Sequence, residues 1–160
     1  MSSMDAALQR VGLPSILLVE DNPDDVLLTR RAVRKAGLQA SLAVACDGDE
    51  AVAYLDGSGA YEDRQAFPLP SLILLDLKLP RRSGLEVLHW IRARPAFATT
   101  PVVVLTSSAQ DEDIRQAYQR GANSYLQKPI ALNELVRMLT VLGLYWLDIN
   151  LTAPRVAGGV

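Results

Sequence analysis

The sequence predicts an α/β fold, with one parallel sheet of five strands and helices packed on both of its faces. Three observations lead there. Short apolar runs recur five times, each followed by a stretch with helical spacing, and that alternation implies parallel strands joined by right-handed crossovers. The best-defined runs are apolar throughout rather than alternating, as expected of strands buried on both faces. Each helix-linked run at the centre of the pattern ends in charged or hydroxyl residues, at the strand end where open α/β sheets bind ligands.

Taken in order, residues 1–14 show no clear period beyond 6–11 and read as a flexible leader. The first strand is SILLV at residues 15–19, ending in Glu20 and Asp21. Asn22 is a good N-cap and Pro23 suits the first helical position, so a helix starts there. Asp24 and Asp25 read as acids favouring the positive end of that helix and nothing more. The helix runs to about Ala36 with Val26, Thr29, Val33 and Ala36 on its inner side, and Gly37 stops it. Residues 40–45 form the second strand and residues 47–56 a short helix closed by Gly57. Cys46 reads as a small apolar filler. Residues 58–70 are polar and irregular, longer than the usual connection.

The third run, Leu72-Ile73-Leu74-Leu75-Asp76, is bounded by Pro70 and Pro80. An ionised carboxylate inside such a strand costs several kcal/mol unless compensated, which places Asp76 at the strand's exit. Ser83 and Glu86 make a capping box for a helix with Leu85, Leu88 and Ile91 inward and His89 on the surface. PVVVL at residues 101–105 is the fourth strand, followed by Thr106, Ser107 and Ser108. Asp111, Glu112 and Asp113 open the next helix, which Gly121 ends. Residues 124–127 are a short fifth strand before Lys128 and Pro129. The last helix carries Leu132, Leu135, Val136, Leu139 and Leu142 at helical spacing, and a tail with Tyr145, Trp146 and Leu147 follows. The organisation expected is a leader over 1–14, one domain over 15–147 with an extended last helix, and a tail over 148–160.

The chain of 160 residues is 49% apolar with a net charge of −2, from 16 Lys and Arg against 18 Asp and Glu. That balance gives no electrostatic footprint for DNA or an anionic membrane. A single cysteine excludes an internal disulfide and a multi-cysteine metal site, and suits a reducing, cytoplasmic setting. No run approaches the roughly 18 apolar residues of a membrane span.

Glu20, Asp21, Asp76, Thr106 and Lys128 all follow strand ends and should converge on one crevice. Three carboxylates within ~4 Å repel by roughly 4 kcal/mol per pair at an effective dielectric of 20. Gathering them calls for a cation, and an all-oxygen set with open water positions suits Mg²⁺. A carboxylate beside Mg²⁺, an ammonium and a hydroxyl is a site for taking up a phosphoryl group as an aspartyl phosphate.

The pair in Val19-Glu20-Asp21-Asn22, the run LLDLKLP with Gly84 beyond it, Leu105-Thr106-Ser107 and Tyr125-Leu126-Gln127-Lys128-Pro129 together resemble the receiver domain of two-component response regulators. The resemblance covers residues 15–142. It implies the flavodoxin-like three-layer sandwich, with sheet order 2-1-3-4-5 and five helices. It also implies Asp76 as phosphoacceptor, and Glu20, Asp21, Asp76 and the backbone carbonyl of Lys78 as Mg²⁺ ligands. Thr106 becomes the switch hydroxyl, Tyr125 the aromatic that moves with it, and Lys128 the phosphate-contacting lysine, its bond to Pro129 cis. Such a domain is a signalling module rather than an enzyme, catalysing only its own phosphotransfer and dephosphorylation.

With no second domain expected after the last helix, no DNA-binding output is expected. The long loop before Pro70 and the Tyr145-Trp146-Leu147 tail are similar to single-domain regulators that partner bacterial phytochromes and related sensor histidine kinases. The resemblance therefore implies a sensor histidine kinase upstream, with a bacteriophytochrome as the specific expectation. It also implies a downstream protein or histidine phosphotransfer partner, and a homodimer formed through helix four, strand five, helix five and the C-terminal extension. Competing classes fit less well. An aspartate-based phosphohydrolase wants an acid where Lys78 stands, and a flavin carrier wants a phosphate-cradling loop where Glu20 and Asp21 would repel phosphate. The remaining competitor is a phosphorylation-independent scaffold of the same fold.

Overall fold

The computed structural model describes residues 12–154. Five parallel strands, β1 (Ser15–Val19), β2 (Ser41–Ala45), β3 (Leu72–Leu75), β4 (Val102–Thr106) and β5 (Ser124–Gln127), lie in the order β2-β1-β3-β4-β5. The helices are α1 (Pro23–Lys35), α2 (Gly48–Asp56), α3 (Gly84–Ala93), α4 (Asp111–Gln119) and α5 (Leu132–Gly143). The five-helix, five-strand architecture and its order match the expectation.

Because side chains alternate across a strand, each apolar strand feeds two cores. Leu17, Val19, Ile73, Leu75, Val102 and Val104 point to one face, against Ala51, Tyr54 and Leu55 of α2, Val87, Leu88 and Ile91 of α3 and Ala117 of α4. Ile16, Leu18, Leu72, Leu74, Val103 and Leu105 point to the other, against Ala32 and Val33 of α1 and Leu135, Leu139 and Leu142 of α5. The turn after α1 presses on the end of α5: a Cβ on Gly143 would stand 2.3 Å from Leu38 Cδ2. The inner side of α3 is rotated from the expectation, since Val87 is fully buried while Leu85 only packs against the core's margin.

The caps behave as their residue types dictate. Asn22 Oδ1 accepts from the amides of Asp24 and Asp25, Asp47 caps α2, and Ser83 caps α3 through the Glu86 amide. The stretch before Pro70 carries no strand or α-helix, as expected, but it is packed rather than loose. It makes a 3₁₀ turn at Gly59–Tyr61, and Tyr61 and Phe67 stack edgewise around Tyr54. Arg64 ties it down, donating to the carbonyls of Tyr54, Leu55 and Phe67. Its polar residues hid an aromatic cluster and a cation that satisfies the free carbonyls at the end of α2.

At the other end, α5 widens into a π-helical extension, Leu144–Ile149. Trp146 and Leu147 pack on the α1–α5 side, whereas Tyr145 is exposed and meets Trp146 edge-on. Pro14 is already engaged, its carbonyl accepting from Ser41. The rest of the expected leader, residues 1–11, and the end of the expected tail, residues 155–160, lie outside the described residues. Cys46 is exposed rather than a filler, because it falls just past the end of β2, outside both cores. Among the described residues no helix is long and apolar enough to cross a membrane.

Candidate functional site

The sheet ladder runs one residue past the ends of the central strands and sets out the site. Glu20 N donates to Ala45 O at 3.0 Å and Asp76 N donates to Val19 O at 3.0 Å, so both acids leave adjacent strands at the same level. Lys128 N closes β5 onto Thr106 O at 2.7 Å, which brings the lysine to the same rim. α3 then crosses close over the acid: Gly84 N donates to Leu77 O at 3.0 Å, and a Cβ on Gly84 would stand 2.2 Å from Asp76 O. Only glycine allows that approach.

Asp76 is nearly buried and both of its carboxylate oxygens are engaged. Oδ1 accepts from the Thr106 hydroxyl at 2.8 Å and the Lys78 amide at 3.2 Å, and Oδ2 accepts from Lys128 Nζ at 2.9 Å. Lys128 Nζ also donates to Glu20 Oε1 and, at 3.0 Å, to Asp25 Oδ2. Glu20 is 2% exposed, and its second oxygen accepts from the Asp21 amide. Carboxylate oxygens of Glu20, Asp21 and Asp76 lie within 4.8 Å of one another. Tyr125 packs at the edge of the core, and its hydroxyl donates to Ser108 O at 2.9 Å.

The electrostatics follow from burial first. Burial pushes the Glu20 carboxyl up to about 7; the Lys128 bond opposes this and neighbouring Asp76 reinforces it. Burial also raises Asp76, but the bonds from Lys128, Thr106 and Lys78 outweigh it and hold this carboxyl below its ordinary value. Burial lowers Lys128, and its bonds to Glu20, Asp76 and Asp25 more than reverse that. Three carboxylates thus share one ammonium, with the Asp21 carboxylate beside Glu20 and Asp76, leaving negative charge in excess. An all-oxygen donor set with that excess fits a small hard divalent cation such as Mg²⁺.

Glu20, Asp21, Asp76, Thr106 and Lys128 are brought to this rim, the Lys78 amide reaches Asp76, and Tyr125 stands to one side, facing Ser108. Two expectations are corrected. The Lys128–Pro129 peptide is trans, as are all described peptide bonds; the turn is closed by the Lys128–Thr106 bond with proline in its lower-energy isomer. Asp25, read as a helix-terminus acid, turns inward onto Lys128. Its place in the first turn of the helix leaving the Glu20–Asp21 corner was the signal available. In the loop before α3, Arg81 and Arg82 pair with Asp47 and Asp49 at 3.5 and 3.0 Å.

A model of the response regulator receiver domain matches residues 16–140. The chain is 38% identical over 139 residues to response regulator Rcp1 of Synechocystis, covering 87% of this chain and 92% of that protein. It is 40% identical over 138 residues to the probable methanogenesis regulatory protein FilR2 of Methanothrix harundinacea, covering 84% of each. The solved structure of the phosphorylated cyanobacterial phytochrome response regulator RcpA superposes with a TM-score of 0.82 at 34% identity, covering 89% of this chain and all of RcpA. The Mn²⁺-bound form of Rcp1 superposes with a TM-score of 0.78 at 36% identity, covering 88% of this chain and 99% of that one. With the fold, the acidic rim and these matches in agreement, the chain belongs to the response regulator receiver domain family.

Proposed function

We propose that this chain is a phosphoacceptor that takes a phosphoryl group from a sensor histidine kinase onto Asp76 and signals by changing its protein contacts. The observation that carries the reading is the double engagement of one nearly buried carboxylate, by the Thr106 hydroxyl on one oxygen and the Lys128 ammonium on the other. These two donors hold Asp76 ionised and aim it out of the sheet, as a nucleophile requires. In the phosphorylated form Lys128 and Thr106 donate to phosphoryl oxygens instead, neutralising charge that spreads over them during transfer.

Glu20, Asp21, Asp76 and the carbonyl of Lys78 would hold Mg²⁺, and the bound ion would supply charge neutralisation that one lysine leaves incomplete. The movement of Thr106 toward the phosphoryl group is expected to be passed to Tyr125, whose hydroxyl would leave Ser108. On this reading the domain catalyses only its own phosphotransfer and dephosphorylation.

A phytochrome-type kinase is the upstream partner this reading favours, because RcpA is by its description a phytochrome response regulator. The output is protein contact or onward phosphotransfer to a histidine, in the cytoplasm. The homodimer face is the α4–β5–α5 side with the C-terminal extension. Beside β5, between α5 and the extension, an open groove of about 490 Å³ is bordered by Leu126, Met138, Val141, Tyr145 and Trp146, with Val141 and Tyr145 exposed.

Beryllofluoride titration in Mg²⁺, with sedimentation, tests the proposal. Saturable binding by the wild type that Asp76→Asn loses, with a change of mass, is expected. A wild type that ignores beryllofluoride would instead make the domain a phosphorylation-independent scaffold.

A further inference from the structure

Asp25 has no place in the site just proposed, yet it contributes one of the three acceptors around Lys128. It is the third residue of α1, where an acid ordinarily reaches back to the N-cap amide. Here its Oδ2 accepts from Lys128 Nζ at 3.0 Å, across 103 residues of sequence. An ammonium has three N–H donors. Those of Lys128 are spent on Glu20, Asp25 and Asp76.

Two of these three acceptors are also the carboxylates that would hold a divalent cation. Asp25 is the exception, since it lies outside the Glu20–Asp21–Asp76 group and shares only Lys128 with it. Its side chain is 39% exposed, at the α1 margin, while that of Lys128 is 18% exposed. An ammonium with no third acceptor would settle onto Glu20 and Asp76, and a cation would then compete with it for the same oxygens. A carboxylate at the margin takes one of the three N–H donors, so the lysine keeps an anchor of its own when a cation takes over the oxygens of Glu20 and Asp76.

Resting on the phosphoacceptor reading above, we infer that Asp25 is a positioning residue for Lys128, holding its ammonium toward α1 so that lysine and divalent cation can occupy the rim together. The competing account is plain helix chemistry, in which any acid in the first turn of α1 favours the helix dipole. Asp24 supplies the control. It is an exposed acid in the same turn, and its backbone amide donates to the same Asn22 cap.

The test is a double-mutant cycle on Mg²⁺ affinity, measured by titration calorimetry without any phosphodonor, with circular dichroism to establish folding. Asp25→Ala is expected to weaken Mg²⁺ binding roughly fivefold, and Asp25→Asn, which keeps a neutral acceptor, to recover part of that. In a Lys128→Ala background the Asp25 substitutions should have no further effect, because the residue through which they act is gone. An equal loss in both backgrounds would overturn the inference, since the carboxylate would then act on the cation directly through its charge. So would an equal loss in Asp24→Asn, or an unchanged affinity in Asp25→Ala. If Asp25→Ala does not fold, the Asp25→Asn cycle carries the same decision, with a smaller loss that must vanish without Lys128. A wild type that binds no Mg²⁺ takes down both this inference and the functional reading; a wild type that binds, with Asp25 variants unchanged, takes down this inference alone.

Discussion

Replacing Arg92 with leucine removes a tie between four segments that meet at the amino end of the sheet. Its Nε donates to Gly121 O at 2.9 Å, its Nη1 to the carbonyls of Phe97 and Thr100 at 3.0 and 2.9 Å, and its Nη2 to Asn123 Oδ1 at 2.8 Å. Asn123 Oδ1 in turn accepts the Val102 amide, so one guanidinium fixes the starts of β4 and β5 together. Three of the carbonyl bonds are partly buried, and each is worth about 1 kcal/mol after discounting a charged hydrogen bond for the water that can replace it. The expected loss is therefore about 3 kcal/mol, or a drop in Tm of roughly 6–12 °C for a chain of this size. Arg92→Lys should recover only about a third, because a single ammonium lacks the planar fork that reaches several carbonyls at once. Urea and thermal unfolding followed by Trp fluorescence measure both; Trp90 lies beside Phe97, with ring centroids 6.0 Å apart. A loss below about 1 kcal/mol, or full recovery by lysine, would refute this reasoning.

Gly84→Ala should cost about 1–3 kcal/mol, since its Cβ would meet Asp76 O at 2.2 Å and Leu77 Cα at 2.5 Å, all backbone that moves only with α3. The same variant should weaken beryllofluoride binding, and a retained affinity would show that α3 yields without disturbing Asp76. Burial and the bond to Glu50 push the Tyr61 phenol up to about 12. Its stabilising contribution is thus complete below about pH 10, the unfolded value, and lost as pH rises through the folded value. Tyr61→Phe should cost about 0.5–1.5 kcal/mol at neutral pH and flatten that alkaline slope in denaturant titrations. Lys78, an exposed cation two residues beyond Asp76, is expected to restrict water at a phosphorylated site, so Lys78→Ala should shorten the lifetime of the phosphorylated form. An unchanged lifetime would remove Lys78 from the account.

The strand run LILL and its abrupt end in Asp76 made the centre of the fold legible, because a strand buried on both faces leaves an uncompensated carboxylate only one favourable place, the exit. Glu20 and Thr106 were legible on the same logic, each being the first polar residue after an apolar run, and Lys128 as the cation just past the fifth strand. Asp25 was not, since a first-turn acid has a sufficient local explanation in the helix dipole and its real partner lies on another strand's exit. The Tyr61–Phe67 stretch hid for a related reason. Its aromatics have no helical or strand period, and only the three-dimensional return onto Tyr54 reveals them as packed. Arg92 looked like an ordinary basic residue in the last turn of a helix, where the sequence carries no trace of the carbonyls it collects. Long-range polar contacts, unlike apolar periodicity, leave little local mark.

The central claim is that Asp76 receives the phosphoryl group. Incubating the protein with Mg²⁺ and a small acyl phosphate, then measuring intact mass and trapping the acyl phosphate reductively, tests it most directly. The account predicts one added phosphoryl group, dependent on Mg²⁺, trapped at Asp76 and absent from Asp76→Asn. A phosphoryl group that persists in Asp76→Asn, or a wild type that gains none, would contradict it.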